Sequence, residues 1–296
     1  MNQMEKKVTV KDVAKAANVS VATVSYIMNN RTDQKISDAT RKKVLQWANL
    51  LNYTPSYAAK SLATGRNNMI GVSYRLNDLT PSRNLEITGF VNLLIERLNR
   101  LKYDVLFMPI KASEDNIPIN RNIDGIITID LSDSEFKELA DNYYIPIIAV
   151  DMIVNDHLFY QVYSDIPAEI TYAKQNAPAD AFFIMESLGN DNYMKFITSS
   201  IEPDQLIICS DPSSIDFQML KEKHVIILGS YLALILRPYL NDSQITVICG
   251  SESNRILPDT LSVQKYDIEK KANVAINLMM NGIDRKFDVT HDYKIR

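Results

Sequence analysis

Residues 8–30 read VTVKDVAKAANVSVATVSYIMNN, two short amphipathic stretches separated by a single asparagine. In the first stretch Val10, Val13, Ala14 and Ala17 recur at helical spacing, which predicts a helix over 10–17 with one apolar stripe. Asn18 follows where the chain must turn sharply, and asparagine is one of the few residues besides glycine that tolerate the left-handed region. Ser20 is placed to cap a second helix over 21–29, because its hydroxyl can accept an orphan backbone N–H. Within that helix Val24, Ile27 and Met28 face inward, and Val21, Ala22, Ser25, Tyr26 and Asn29 are left outside. A third helix, running from Asp38 to about Leu51 behind the cap Ser37, brings Val44, Leu45, Ala48 and Leu51 to close a small core. Three short helices in this order form a helix-turn-helix bundle.

Beyond the bundle, Asn52-Tyr53-Thr54-Pro55 must end the third helix, since the residue before a proline is pushed out of the helical region. Residues 56–65, SYAAKSLATG, then read as one more short helix capped by Ser56 and stopped by Gly65. A helix this short is marginal alone, because isolated helices need about 12–15 residues. It is expected to form conditionally, when packed against something. From Met69 onward the pattern changes to β-branched runs separated by helical stretches. The runs are MIGVSY (69–74), YDVLFMP (103–109), DGIITID (124–130), IPIIAVD (145–151), FYQVYS (159–164), AFFIME (181–186), QLIIC (205–209), HVIILG (224–229) and ITVICG (245–250). Helices are expected over 85–101, 132–142, 166–175, 231–240 and 268–280, the last ended by Asn281-Gly282. Strand–helix alternation of this kind means parallel sheets covered on both faces, and about ten strands suffice for two sheets.

The formal net charge of −4 conceals an asymmetry. Residues 1–66 hold eleven Lys/Arg against four Asp/Glu, a formal +7, so the remainder carries −11. One strongly positive end on an acidic body can meet phosphates with that end only. Cys209 and Cys249 both lie in apolar runs, where buried reduced thiols are expected. The polar start over 1–9 is not a secretory signal, and no apolar run approaches the ~18 residues of a membrane helix, so a cytoplasmic location is expected. There is no G-x-G-x-x-G, Walker loop, H-E-x-x-H or G-x-S-x-G, and His157, His224 and His291 are scattered. An enzyme therefore has no catalytic constellation to rest on, and no cofactor or metal site is expected.

The stretch quoted above, followed by ISDATRKKVLQWANLLNYTPSYAAKSLATGRNNMIGV, closely resembles the lac repressor family of bacterial transcription regulators from Val8 to Val72. The helix-turn-helix, then N-Y-x-P, then A-x-x-L-A, then a strand IGV is a specific combination. DGII (124–127), IPIIAVD, DTLSV (259–263) and the closing VTHDYKIR match more loosely. The resemblance implies an all-α helix-turn-helix headpiece over 1–54, a hinge helix or linker over 55–66, and an α/β core over 67–296. That core would be periplasmic-binding-protein-like, with two subdomains built on parallel sheets. It implies a homodimer on a palindromic operator in double-stranded DNA, modulated by a small-molecule effector such as a sugar. No heptad-like extension follows Arg296, so a dimer is expected. Carried over by position, Val21, Ala22 and Tyr26 meet base edges, and Thr9, Ser20, Thr23, Ser25 and Asn29 contact phosphates. Tyr57, Ala59 and Leu62 occupy the hinge face, where a leucine wedges between base pairs. The physics suits those roles. A helix N-terminus with hydroxyls attracts phosphate, and side chains at 21, 22 and 26 share one face. An apolar residue on a short cationic segment suits a minor-groove wedge. The other reading makes Leu62 a linker residue docking on the core, and Val21 and Ala22 plain surface.

This sequence departs from the family pattern in two places. Many members carry arginine, the usual guanine reader, where Tyr26 stands, so a different base preference is expected. Sugar-binding members usually carry an Asn-Asp pair in the segment aligned with Gly229-Ser230, an arginine near Asn192, and an acidic residue in the segment 250–252. The first two are missing, and the last is only partly kept, as Glu252. The core is also short, with trimmed loops around 152–160 and 186–192. Tyr74, Asp151, Asp165, Tyr193, Tyr231 and Glu252 are the candidate effector-binding residues. Either the ligand differs from a hydrophilic sugar, or the response is weakened or lost. Three further readings stand beside this one: a regulator that binds DNA without an effector, a pure small-molecule binding protein, and an enzyme on the same two-lobed body.

Overall fold

The computed structural model describes residues 8–29, 31, 34–54, 65–111, 122–251, 253–286 and 288–296. The chain divides into a unit over 1–67 and a unit over 68–296.

In the first unit, α1 spans Val10–Ala17, α2 Val21–Met28 and α3 Asp38–Leu50. Each start is fixed by local chemistry. The Asp12 carboxylate accepts from the Thr9 N–H at 2.8 Å and the Thr9 hydroxyl at 2.7 Å. Ser20 Oγ accepts the Thr23 N–H at 3.0 Å, and Ser37 Oγ the Thr40 N–H at 3.2 Å. Asn18 takes the left-handed turn at φ 52°, and its N–H closes on the last carbonyls of α1. Val13, Ala14, Ala17, Val24, Ile27, Val44 and Ala48 form the buried core of the unit. Leu45 is not part of it. Its side chain is 47% exposed, because it lies outside the buried stripe of α3, which runs through Val44 and Ala48 one turn apart.

The second unit is two α/β lobes. One holds a parallel sheet ordered β11-β5-β4-β3-β1-β2, the other a parallel sheet ordered β10-β9-β8-β6-β7. In the first sheet β1 is Met69–Leu76, β2 Asp104–Lys111, β3 Gly125–Ile129, β4 Ile147–Val150, β5 Tyr160–Ser164 and β11 Asp292–Ile295. In the second, β6 is Phe182–Met185, β7 Leu206–Ile208, β8 Val225–Leu228, β9 Ile245–Gly250 and β10 Ser262–Tyr266. The chain leaves the first lobe after Ser164 and returns after Tyr266. Helices α4 (Pro81–Arg100), α5 (Asp133–Asn142) and α9 (Ile268–Ile283) belong to the first lobe. Helices α6 (Ile166–Gln175), α7 (Asp191–Thr198) and α8 (Ser230–Leu236) belong to the second. Central strands such as β3 and β4 are buried along their whole length, as sheets covered on both faces require.

Several elements differ from the sequence expectation, among them α4, which begins at Pro81 and not near Leu85. Helix α9 does not stop at Asn281-Gly282 but runs on to Ile283. A Cβ on Gly282 would lie 2.8 Å from Pro146 Cβ, so this glycine permits a close helix–loop approach and not a C-cap. Helix α8 ends at Leu236, and Arg237–Tyr239 tightens into a 3-10 turn, because Pro238 has no N–H to continue the ladder. Helix α7 was not legible at all. It has only eight residues and buries only Tyr193 and Ile197. Both cysteines are free and buried.

Candidate nucleic-acid interface and interlobe cleft

On the first unit, α2 presents the residues singled out from sequence. Val21 is 41% exposed and Ala22 is exposed, while Ser25 and Tyr26 are half-buried between this face and the core. At the helix start Ser20 Oγ lies 2.9 Å from Thr23 Oγ1, so two hydroxyls and the first N–H groups share one end. Asn29 is exposed, with its amide folded back to donate to the Ser25 carbonyl at 2.9 Å. Thr9 is exposed and tied to Asp12. Lys11, Lys15, Lys42 and Lys43 are exposed on neighbouring helices. One residue escaped the sequence reading. The Arg31 guanidinium lies 5.3 Å from the centroid of the Tyr26 ring, and the Arg31 N–H donates to the Tyr26 carbonyl at 2.9 Å. The position that lacks arginine on α2 thus has one laid over its ring from the following turn. Tyr57, Ala59 and Leu62 lie outside the described residues.

In the second unit the two lobes meet around a set of charges. Asp130 and Asp151 follow the carboxyl ends of β3 and β4 at φ 55° and 49°. That left-handed region is unfavourable for a residue other than glycine and is held by its surroundings. Arg83, in the first turn of α4, donates from Nε to Asp130 at 2.9 Å and from Nη2 to Asp151 at 3.2 Å. Lys271, on α9, donates to both oxygens of Asp151 at 2.8 and 2.9 Å and lies over the rings of Phe90 and Tyr266 at 5.0 and 5.6 Å. Glu186, at the end of β6 in the other lobe, accepts from the backbone N–H groups of Ser82 and Arg83 at 3.1 and 2.6 Å. Those two donors are orphans of the first turn of α4, where a carboxylate is also favoured by the helix dipole.

A second strap crosses between the lobes. Gly189 and Asn190 donate their N–H groups to Asp130 Oδ1 at 2.9 and 3.2 Å. Asn190 Oδ1 accepts from the Ile153 N–H at 3.0 Å and the Tyr193 N–H at 2.9 Å, and its amide donates to Asp133 at 3.0 Å. Asn192 donates to Asp133 at 3.0 Å and to the Ile153 carbonyl at 3.2 Å. Asn192 thus joins the lobes.

Burial and charge act on these groups in opposite senses. Burial works against the Asp151 charge, yet Lys271 and Arg83 hold its carboxyl below the ordinary range. Burial raises Asp130 despite Arg83. Glu86 is pushed up to about 7 by burial, with Arg83 opposing and Glu186 adding to the rise.

Among the described residues, two of the cavities open between the lobes. The smaller, about 30 Å3, is lined by Ser82, Arg83, Ser164, Glu186, Tyr193 and Lys271, and has room for one or two waters. The larger, about 140 Å3, is lined by Glu86, Phe90, Asp151, Tyr231, Tyr266 and Lys271. Of the sequence candidates, Asp151 reaches both cavities, Tyr193 the smaller and Tyr231 the larger. Tyr193 is fixed by its hydroxyl, which donates to the Ser164 carbonyl at 2.9 Å. Tyr74 packs half-buried against the first lobe's core on β1. Asp165 binds Arg296 at 2.9 Å and Lys294 at 3.4 Å, tying down the last strand at the lobe crossing. Glu252 lies outside the described residues. Arg83, Glu86, Asp130, Glu186, Asn190 and Lys271 were missed. The signal for Lys271 was present, since it shares the apolar face of α9 with Ile268 and Ala275. Among the described residues no helix is long and apolar enough to cross a membrane.

Residues 9–56 match the family model described as bacterial regulatory proteins, lacI family. The probable HTH-type transcriptional repressor ExuR of Bacillus subtilis is 33% identical over 172 residues, 47% of this chain and 51% of that protein. The HTH-type transcriptional regulator MalR of Staphylococcus xylosus is 42% identical over 77 residues, 26% of this chain and 22% of that protein. The chain thus spans about half, or less, of the length of these relatives. A lac repressor dimer solved with operator and the anti-inducer ONPF shares the fold at a TM-score of 0.68 and 17% identity, over 98% of this chain and 96% of that one.

Proposed function

We propose that this chain, which belongs to the lacI family of bacterial regulatory proteins, is a sequence-specific DNA-binding transcription repressor and not an enzyme. It acts as a cytoplasmic homodimer on a palindromic operator. The observation that carries the reading is α2, a helix capped at Ser20 that exposes Val21 and Ala22 with Tyr26 half-buried beside them, within residues 9–56 that match the lacI model and inside the segment 1–66 of formal charge +7. A helix of this size fits the major groove, and a cationic end supplies the phosphate attraction that non-specific affinity needs.

In this reading 1–54 is the headpiece, 55–66 the hinge and 67–296 the effector-binding and dimerisation core. Val21, Ala22 and Tyr26 read base edges. Thr9, Ser20, Thr23, Ser25 and Asn29 contact phosphate, and Tyr57, Ala59 and Leu62 occupy the hinge face, with Leu62 the minor-groove wedge. A ligand that favours one arrangement of the two lobes shifts operator affinity by its differential affinity for the two states, and by no more.

Selection of bound sites from random duplex DNA, with full-length wild type and Tyr26→Arg, tests the assignment. A palindrome from the wild type and a changed base at one symmetric position from the variant are expected. Identical sites from both proteins refute base reading by Tyr26. No enrichment at moderate salt refutes the regulator.

A further inference from the structure

The charges of the interlobe cleft are unequally matched. Asp151 holds the Lys271 ammonium with both oxygens and also meets Arg83, and Asp130 has Arg83 and two backbone N–H donors. Glu186 has the two N–H groups that open α4. Glu86 is left over. Its Oε2 stands 3.7 Å from Arg83 Nη1, beyond hydrogen-bond range, and its buried Oε1 has no hydrogen-bond partner. Buried polar atoms are nearly always paired, so each exception calls for an explanation. A second such atom is close by. Ser164 is 1% exposed, its Oγ has no partner, and it lines the smaller cavity.

Glu86 faces the cavity of about 140 Å3 whose walls include Phe90, Tyr231 and Tyr266. An anion would meet the Glu86 and Asp151 carboxylates, and the cations that line the same cavity, Arg83 and Lys271, are already paired with Asp130 and Asp151. A neutral sugar needs donors as well as acceptors for its hydroxyls, and the cleft's cationic donors, Arg83 and Lys271, are already bound to Asp130 and Asp151. Among the described residues no three His, Cys, Asp or Glu side chains converge on a metal position. What remains is an acceptor with negative charge beside aromatic faces, which suits a ligand that brings its own N–H donors and positive charge. The cleft already houses one such group: the Lys271 ammonium sits between the Asp151 carboxylate and the rings of Phe90 and Tyr266.

We infer that the cavity lined by Glu86, Phe90, Tyr231 and Tyr266 takes a small organic cation, a primary ammonium on a short apolar body, in place of a neutral sugar. The inference rests on the reading of this core as the ligand-responsive part of the regulator. The position is suited to control. A Cβ on Gly229, which stands at φ +116° in the second lobe, would lie 3.0 Å from Glu86 Oε1, so the carboxylate of the first lobe abuts the backbone of the second. An ammonium held at Glu86 sits at the seam and bears on the angle between the lobes.

Calorimetry on the full chain with phenethylamine, its neutral counterpart 2-phenylethanol, and glucose tests this. Phenethylamine is expected to bind at least tenfold more tightly than the alcohol at pH 8, and glucose not to bind. Glu86→Gln is expected to lower amine affinity at least tenfold while keeping a cooperative melt. Glu86, faced by Arg83, Lys271, Asp151 and Glu186, ionises near 7. An ordinary amine stays protonated to about pH 10, so affinity should rise roughly tenfold from pH 6 to pH 8 as the carboxylate ionises. Equal binding of the alcohol, preferential binding of glucose, or unchanged amine affinity in Glu86→Gln overturns the cation assignment. So does failure of all three to bind a protein that still selects its DNA site. None of these outcomes touches the DNA-binding reading, which fails only in the site selection.

Discussion

The Gly189 N–H donates to Asp130 Oδ1 at 2.9 Å while its Cα lies so close to the Asp130 carbonyl that a Cβ would stand 2.1 Å from that oxygen. The two residues belong to different lobes, and the contact is backbone against backbone, so nothing flexible can give way.

Gly189→Ala is therefore expected to push the lobes apart or break the strap through Asn190, destabilising the second unit by about 2 kcal/mol. For a unit this size that lowers the melting temperature by about 4–8 °C. Gly89→Ala is the control. No heavy atom lies within 4 Å of its Cβ position in α4, and losing a helical glycine should stabilise by about 0.5–1 kcal/mol. Calorimetric melts of both variants decide it, and equal shifts refute the close-contact account.

Glu86 gives the fold a pH dependence of defined sign. Its folded value of about 7 lies above the ordinary 4.5, so the folded state keeps a proton that the unfolded chain has lost. Stability from this residue is present below about 4.5, falls as the pH rises to about 7, and is flat beyond. Glu86→Gln removes the slope. Denaturant unfolding of both proteins at pH 5 and pH 8 should show the variant gaining on wild type, by on the order of 3 kcal/mol at the upper limit. A gap that does not change with pH contradicts the assignment.

Asp151 acts in the opposite sense. Its carboxyl is held down, burial notwithstanding, by Lys271 and Arg83, so its contribution is intact above about 3.8 and disappears as the pH falls below that. Lys271→Ala leaves the buried carboxylate short of its main partner and is expected to destabilise by about 3–5 kcal/mol at neutral pH. The double variant Lys271→Ala, Asp151→Ala should recover part of that loss in urea titrations. A double variant as unstable as the sum of the two single ones shows that the pair is not coupled.

Arg31, laid over Tyr26, adds a cation beside the proposed reading helix. Arg31→Ala should weaken DNA binding to all sequences and reduce the slope of log affinity against log salt by about 1. Ser20→Ala should weaken binding as uniformly and also cost about 1 kcal/mol of headpiece stability through the lost cap. Filter binding at several salt concentrations, with a melt of each protein, separates the two effects.

Local rules were enough for the first unit. Asn18 and the caps Ser20 and Ser37 fixed the helix starts, and the apolar stripes fixed the core, with Leu45 the exception because a three-helix core has room for one stripe per helix. The parallel sheets were equally plain, since β-branched runs bounded by helices admit few topologies. The cleft was not legible. Asp151 is among the candidate effector residues, yet its partners Arg83 and Lys271 come from positions 68 and 120 residues away. No periodicity links such positions, and only the folded lobes bring them together. Tyr193 is another of those candidates, and it lines the smaller cavity. Its hydroxyl is occupied by Ser164, which sequence alone does not reveal.

The last strand has a consequence for how the polypeptide is made. The second lobe, 165–266, is one uninterrupted stretch, whereas the first needs α9 and β11 from 268–295 to cover β3 and β4 and to pair with β5. During synthesis the inner lobe can therefore fold on the ribosome first, while the outer lobe waits with one sheet edge open until residues 268–295 emerge. Shortening the chain by its last five residues would remove the Asp165 partners Lys294 and Arg296 together with β11. The damage would fall on the lobe translated earliest.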